Sequence, residues 1–369
     1  MLRKALLGIV SVIVLGLSAL TIALTIGFME DASTPPFLDE EGNRVPGSLA
    51  AMEWQDIGGI PQWTLLRARD TSQPILIALH GGPGAIEAEA YRAYNAELED
   101  HFLVVHWHQR GAGWTLDRDS DGSDINSERI YQDLEELVEL MKSRFGRDKV
   151  FLAGHSWGSI LGLRYTYEHP ENVAAYVGIG QVQNLKESEK LGCGFILEKA
   201  QAEQDADAVV EINKACAFVS DDTKPYGMEQ MFVQRGYLSQ YGGAFHGPMG
   251  MTDMLYDMLT KTDEGTLSVM ARMAQGSLDS AERMWPELMA FDAAPWTEFE
   301  APIFFALGRH DYQVNAGLAA DYFETLNAPC KHLEWFENSA HSPLFEEAEA
   351  FNHFMINTVK NVECSLSSQ

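Results

Sequence analysis

The sequence predicts an α/β fold in which helices cover both faces of a mostly parallel, doubly wound sheet. Short apolar runs alternate with amphipathic helical patterns, and several runs end in glycine-rich or polar loops. In such a sheet the carboxyl ends of the strands usually carry the ligand site. From residue 181 to 297 the alternation gives way to helical segments, which predicts an inserted helical cap.

The elements of the sheet follow in chain order. Apolar runs within 73–84 and 101–113 predict two buried parallel strands. Apolar residues at three- and four-residue spacing predict an amphipathic helix from Ser127, its N-cap, to Gly146. The later predicted elements are a strand over 150–153, a helix to about His169, strands over 173–180, within 301–311 and near 333–336, and a final helix from about Phe345 to Lys360.

The N-terminal region contains a long stretch, Leu6–Phe28, without a charged residue. At about 1.5 Å per residue it is long enough to cross the roughly 30 Å hydrocarbon core of a bilayer. Arg3 and Lys4 precede it, so the positive-inside rule places the rest of the chain on the non-cytoplasmic side. We predict a transmembrane signal anchor over 1–29 and a polar linker over 30–50. A cleaved signal peptide, which would leave a secreted or periplasmic protein, is the alternative.

We divide the chain after residue 50 into a core (51–180 and 298–369) and a cap (181–297). The composition of the whole chain limits its possible partners. The 26 basic and 54 acidic residues give a formal charge of -28, which disfavours nucleic acid. The four cysteines lack metal-ligand spacing and leave open one or two disulfides.

A serine between two glycines is the first candidate catalytic residue. Ser156 lies between Gly154 and Gly158, after an apolar run and before a helical one. A nucleophile on a tight strand-to-helix turn needs small residues two positions before and after it. Taken alone, this pattern is weak evidence, because a serine that only caps a helix could show it too.

An acid and a histidine follow Ser156 in the order that a catalytic triad on this kind of sheet requires. Asp311 comes after the apolar run 303–308, and His341 comes after the predicted strand near 333–336. We therefore predict Ser156 as nucleophile, His341 as general base, and Asp311 as the carboxylate that orients and stabilises the imidazolium.

The tetrahedral intermediate of such a reaction needs fixed hydrogen-bond donors. The sequence HGGPG (His80–Gly84) follows an early predicted strand, and its glycines allow a close approach of the backbone to substrate. We predict that Gly81, Gly82 and the backbone amide of Trp157 form the oxyanion hole.

Three motifs together resemble the proline iminopeptidase branch of the α/β-hydrolase superfamily: HGGPG, HQRGAG (108–113) and GHSWGS (154–159). The resemblance extends over most of residues 52–360 and is weakest in the cap. It implies an α/β-hydrolase fold and the removal of an N-terminal residue, typically proline, from a peptide.

Two positions depart from the D-Q-R-G-x-G-x-S pattern of this branch: His108 replaces the acid and Thr115 replaces the serine. We interpret His108 as a structural histidine beneath the HGGPG loop, and a second catalytic base is the less favoured interpretation. We expect Gln109 and Arg110 to brace this loop.

Removal of an N-terminal residue requires a carboxylate for the substrate ammonium. Glu187 and Glu189, at the start of the cap, are the candidate substrate-binding residues, although a solvated acidic helix face would have the same sequence. The methionines of the cap are compatible with an adaptable apolar pocket and equally with ordinary helix packing.

Residues 117–128 fit a calcium-loop template, with ligand positions at Asp117, Asp119, Asp121 and Glu128. Asp124 stands where an apolar residue normally anchors such a loop, so we favour a solvated acidic loop. We predict no metal and no cofactor for the reaction.

Three functions are compatible with these observations. The first is a serine hydrolase that acts through an acyl-enzyme on small peptides with a free N-terminus. The second is a carboxylesterase or lactonase with the same triad. The third, a non-catalytic binding protein, is disfavoured by the complete set of catalytic groups. The predicted partners are a small peptide or ester and, through the N-terminal helix, a membrane; the oligomeric state stays undetermined.

Overall fold

The computed structural model describes residues 32–118, 122, 124–362 and 364. The predicted span Leu6–Phe28 lies outside the described residues and stays a prediction. None of the helices within those ranges is both long enough and apolar enough to traverse a bilayer.

Eight strands of the described chain form one sheet in the spatial order β1-β2-β4-β3-β5-β6-β7-β8. Strand β2 pairs antiparallel with β1 and with β4, and every other neighbouring pair is parallel. The mostly parallel sheet is therefore confirmed. The strands are β1 (Leu49–Ile57), β2 (Ile60–Ala68), β3 (Ile75–Leu79), β4 (Leu103–Trp107), β5 (Val150–His155), β6 (Val173–Ile179), β7 (Ile303–Gly308) and β8 (Lys331–Phe336).

Helices cover both faces of this sheet. One face packs on α2, α3 and α9 in a single apolar cluster, and the other packs on α1 and the C-terminal helices. The helices are α1 (Ala88–Tyr94), α2 (Ser127–Phe145), α3 (Trp157–Glu168), α4 (Leu185–Ala202), α5 (Ala206–Ala215), α6 (Met228–Gln240), α7 (Met251–Lys261), α8 (Leu267–Ala290), α9 (Ala316–Thr325), α10 (Pro343–Glu346) and α11 (Ala348–Phe354), followed by a π-helical turn (Met355–Val359).

Three local features differ from the sequence prediction. The single final helix predicted from about Phe345 to Lys360 is divided into α10, α11 and the π-helical turn. The hairpin β1–β2 was not predicted, although Gly58 and Gly59, both at positive φ, form the two-residue turn typical of a hairpin. Helix α2 begins at Ser127, but its N-cap is Asn126, whose side chain accepts a hydrogen bond from Arg129 N at 2.9 Å.

Between β6 and β7, helices α4 to α8 form the cap within the predicted segment 181–297, whose limits stay a prediction. Helices α4 to α6 share a small apolar core of their own. A disulfide between Cys193 and Cys216 joins α4 to the end of α5. A second disulfide joins Cys330, just before β8, to Cys364.

The predicted linker packs against the domain from residue 32 onward. Ser33 N donates to Asp263 O at 3.1 Å, and the Thr34 hydroxyl donates to Glu264 Oε1 at 2.7 Å. Both acceptors lie in the turn between α7 and α8, while Arg67 from β2 donates to Pro35 O at 2.9 Å. The N-terminal segment is thus attached to the cap as well as to the core.

Candidate active site

Ser156 occupies a strained turn between β5 and α3. Its φ of 52° lies in the left-handed region, which non-glycine residues rarely adopt and which is typical of a nucleophile turn. A Cβ at Gly154 would lie 2.4 Å from Gly158 O, and one at Gly158 would lie 2.1 Å from Leu79 O. Because both contacts are with backbone, only glycine fits at these two positions.

The predicted acid and base meet at the carboxyl ends of β7 and β8. His341 Nδ1 lies 2.9 Å from Asp311 Oδ2, and both side chains are buried. The other carboxylate oxygen accepts from Gln313 N at 2.8 Å and Val314 N at 3.1 Å, so main-chain donors fix its orientation. His341 is therefore oriented with Nδ1 as donor and Nε2 free for proton transfer.

Ser156 and His341 line one cavity of about 250 Å³ under the cap. His341 Nε2 has no hydrogen-bond partner within the described residues, and catalytic contacts of this kind often close only when substrate binds. The structure thus brings the three predicted triad residues to one site.

The HGGPG loop borders the same cavity. A Cβ at Gly81 would lie 3.3 Å from Ser156 Cβ, so the loop passes directly over the nucleophile. Gly82 has a φ of 108°, and a Cβ there would lie 2.6 Å from Ala85 N. Gly81 N donates to Glu87 Oε1 at 3.2 Å. Because the Gly81 amide is engaged by Glu87, the candidate oxyanion donors that remain from the prediction are Gly82 N and Trp157 N, the latter in the first turn of α3, where helical amides lack an internal acceptor.

Three buried histidines lie in or beside this loop: His80 belongs to it, and His106 and His108 lie at the end of β4. Burial lowers the pKa of His80, lowers that of His106 to about 3, and holds that of His108 well below its usual range. His108 Nδ1 accepts from Trp114 N at 3.2 Å, and its ring packs 4.1 Å from that of Trp63. These contacts support the interpretation of His108 as a structural residue.

We expected Gln109 and Arg110 to brace the HGGPG loop. The side-chain contacts that follow instead join the segment 108–115 to other elements. Thr115 Oγ1 donates to His108 O at 2.7 Å and accepts from Trp63 N at 3.0 Å, which joins the segment 108–115 to β2. The Gln109 side chain accepts from Trp157 Nε1 at 2.9 Å and so supports the start of α3. Arg110 pairs with Asp133 of α2 and donates to Gly58 O.

The two glutamates expected to bind the substrate lie elsewhere in the cap. Glu187 is exposed and pairs with Lys190 at 3.0 Å, one turn along α4. Glu189 is buried, and its carboxylate binds the Arg235 guanidinium and the Tyr226 hydroxyl. Neither side chain lines the cavity at Ser156, because helix α4 presents one to solvent and the other to α6.

The cavity is lined mainly by apolar side chains, including Met251 and Met254 of α7, Met273 of α8, and Phe345. The cap methionines thus contribute to the pocket as well as to packing. A smaller compartment on the other side of Ser156 is lined by Trp157, Trp285 and Arg235.

The described part of the candidate calcium loop is engaged by arginines. Asp117 pairs with Arg272, and Glu128 pairs with Arg164 at 2.8 Å. Asp119 and Asp121 lie outside the described residues. Within those that are described, no group of three or more acidic, histidine or cysteine side chains is arranged to hold a metal ion.

Two residues near the nucleophile were missed from the sequence. Glu87 lines the cavity and accepts from Gly81 N, and His155 contacts Glu87 and the His341 loop. Their positions, three residues after HGGPG and directly before Ser156, were the available signals, but neither residue belongs to a triad pattern.

The fold and the Ser156, Asp311 and His341 constellation define a serine hydrolase of the α/β class. The chain belongs to the alpha/beta hydrolase family, whose model matches residues 76–354. The probable aminopeptidase YbaC of Bacillus subtilis is 30% identical over 305 residues, which cover 82% of this chain and 94% of that protein.

Two further comparisons bear on the site. The proline iminopeptidase of Saccharolobus solfataricus is 37% identical over 97 residues, covering 26% of this chain and 29% of that protein. The structure of an esterase from Exiguobacterium antarcticum matches with a TM-score of 0.57 at 19% identity, covering 85% of this chain and 100% of that one. The latter likeness shows the shared fold.

Proposed function

We propose that this hydrolase removes the N-terminal residue of small peptides through an acyl-enzyme. The observation that carries the proposal is the similarity to a probable aminopeptidase over 94% of that protein's length. The local match to a proline iminopeptidase supports a proline-type N-terminal residue. The mainly apolar cavity of about 250 Å³ is compatible with a residue of this size.

The geometry supports the following steps. Ser156 Oγ attacks the carbonyl carbon while His341 Nε2 takes the hydroxyl proton, and Asp311 stabilises the resulting imidazolium. The oxyanion accepts hydrogen bonds from Gly82 N and Trp157 N. Collapse of the intermediate breaks the C–N bond, and His341 donates its proton to the leaving amine. Water, activated by His341, then hydrolyses the acyl ester and regenerates Ser156.

A carboxylesterase is the second candidate, and the lining of the cavity favours it. Glu87 is the sole acidic residue that lines the cavity among the described residues; its Oε1 faces His155 and Gly81, whereas its Oε2 has no hydrogen-bond partner among those residues. A substrate ammonium would therefore depend on this single oxygen as its anionic acceptor. An uncharged ester makes no such demand.

Three substrates distinguish the candidates: a proline anilide with a free amine, its N-acetylated analogue, and a short acyl ester. An aminopeptidase cleaves the free amine much faster than the acetylated analogue, whereas an esterase turns over only the ester. Ser156→Ala should lower turnover by about 10⁴-fold or more in either case. Hydrolysis that survives this substitution would exclude Ser156 as the nucleophile.

We also propose that the catalytic domain lies on the non-cytoplasmic side of a membrane, anchored by Leu6–Phe28. Two disulfides support this location because they persist in oxidising compartments. Protease digestion of intact cells should remove the domain if it faces outward, and protection of the domain would contradict the proposal.

A further inference from the structure

The histidine that precedes the nucleophile faces an oxygen acceptor at each ring nitrogen. His155 Nδ1 lies 2.6 Å from Glu87 Oε1, and Nε2 lies 2.9 Å from the carbonyl oxygen of His341. A carbonyl oxygen cannot donate, so Nε2 must carry a proton. A neutral imidazole has a single N–H and could not also donate to Glu87.

The second acceptor, a carboxyl oxygen, could donate if it were protonated, so its contacts must decide its charge. Glu87 Oε1 accepts from Gly81 N as well as facing His155 Nδ1. An oxygen that receives two donors is best satisfied as a carboxylate. His155 is then the doubly protonated imidazolium, and the pair forms a buried salt bridge.

This pair connects loops that are distant in the sequence. Glu87 holds Gly81 of the oxyanion loop after β3, and His155 holds the His341 backbone after β8. Ser156 is the next residue, and the rings of His155 and His341 lie 5.0 Å apart. A single chain of hydrogen bonds therefore runs from the oxyanion loop, past the nucleophile, to the loop of the general base.

We propose that His155, kept as an imidazolium by Glu87, is a positioning residue that fixes the oxyanion loop and the His341 loop about Ser156. The proposal rests on the serine hydrolase function given above, but it does not depend on the substrate being a peptide or an ester.

The groups around His155 determine the sign of its pH dependence. Its titratable neighbours are Glu87, Asp311 after β7, and His341 after β8. Burial lowers the pKa of His155, but attraction and hydrogen bonding to Glu87 and the more distant Asp311 outweigh it and raise the pKa overall. The contribution of the imidazolium to stability and positioning is fully present below the unfolded pKa of about 6.5. It is lost as pH rises through the folded value.

The direct test is ring ¹⁵N NMR of the full chain labelled at histidine, with the His155 signal assigned from its absence in His155→Gln. We expect the imidazolium signature at neutral pH in the wild type and a neutral ring in Glu87→Gln. A neutral His155 ring in the wild type at that pH would overturn the proposal without reference to any substrate.

The kinetic test uses whichever substrate the wild type cleaves. Glu87→Gln should lower kcat about tenfold with little change in KM, because one hydrogen bond to a charged group is lost. In the wild type, kcat should fall as pH rises, with the same midpoint as the titration of His155. Glu87→Gln should move this midpoint to lower pH. An unchanged kcat and pH profile in a variant whose ring is neutral would contradict the positioning role.

A matched control comes from an exposed pair on β8, in which His332 Nε2 lies 2.8 Å from Glu334 Oε2. Glu334→Gln removes the same kind of contact away from the cavity and should leave kcat and the His155 signal unchanged. Failure of the proposed function would appear as no hydrolysis by the wild type, while the NMR result would still decide the charge of His155.

Discussion

The carboxyl edge of the sheet and the helical cap differ in what holds their functional groups. At the sheet edge, backbone atoms confine the nucleophile turn, with Gly158 packed directly on Leu79. In the cap, side-chain ion pairs, methionines and a disulfide hold the helices together. A Cβ at Gly194 on α4 would lie in open space. The position of Ser156 is therefore set by backbone packing, whereas much of the cavity wall is formed by side chains that substitution can change.

The largest effect is expected where these constraints are tightest. Gly158→Ala places a methyl group 2.1 Å from Leu79 O, so α3 must move away from β3. We expect activity to fall at least about a hundredfold, because small misplacements of catalytic groups are costly. The free energy of unfolding should fall by about 3 kcal/mol. Enzyme assays and urea unfolding measure both.

Gly194→Ala is the matched control in the cap, since both glycines lie in helices. It should keep activity and raise the free energy of unfolding by up to about 1 kcal/mol through helix propensity. Equal damage from the two substitutions would remove the distinction between the regions.

The next effect concerns charge compensation inside the cap. Arg235→Gln leaves the buried Glu189 carboxylate without its cation, and we expect a loss of about 3 kcal/mol in the free energy of unfolding. The double variant, with Glu189→Gln added, buries no uncompensated charge and should recover most of that loss. A double variant as unstable as Arg235→Gln would show that the cap depends on the shape of the pair and not on its charge.

The last effect, which appears only as pH changes, is expected at the boundary between the regions. Glu346 accepts from Ala340 N and Ser342 N beside the catalytic histidine, and from His246 N in the cap. Burial raises the pKa of Glu346 to about 7. A raised pKa means that the stability contribution is present below the unfolded value and is lost as pH rises through the folded one.

The wild type should therefore lose up to about 3 kcal/mol of unfolding free energy between about pH 4.5 and 7 from this group. Glu346→Gln should flatten that slope, measured by urea unfolding across the same range. The exposed Glu349→Gln serves as control, and a slope that is unchanged in both variants would contradict the role of Glu346.

The same contrast explains what could be predicted from the sequence. The triad and the oxyanion loop are short motifs at strand ends. Residue spacing and order were therefore enough to predict that Ser156, Asp311 and His341 lie at one site. The environments of Glu187 and Glu189 depend on how α4 rotates against α6, which only tertiary packing determines. The hairpin β1–β2 was missed because its strands lack the buried apolar run that identified β3 and β4, although Gly58 and Gly59 were a usable turn signal.

The attachment of the N-terminal segment to the turn between α7 and α8 has a mechanical consequence. Ser33 and Thr34 donate hydrogen bonds to residues 263 and 264. The two helices that flank this turn carry Met251, Met254 and Met273 of the cavity wall. Through these two helices, the turn connects the N-terminal segment with the wall of the cavity at Ser156. A displacement of Ser33 and Thr34 would therefore reach the cavity wall through this turn, while Arg67 holds Pro35 to the core.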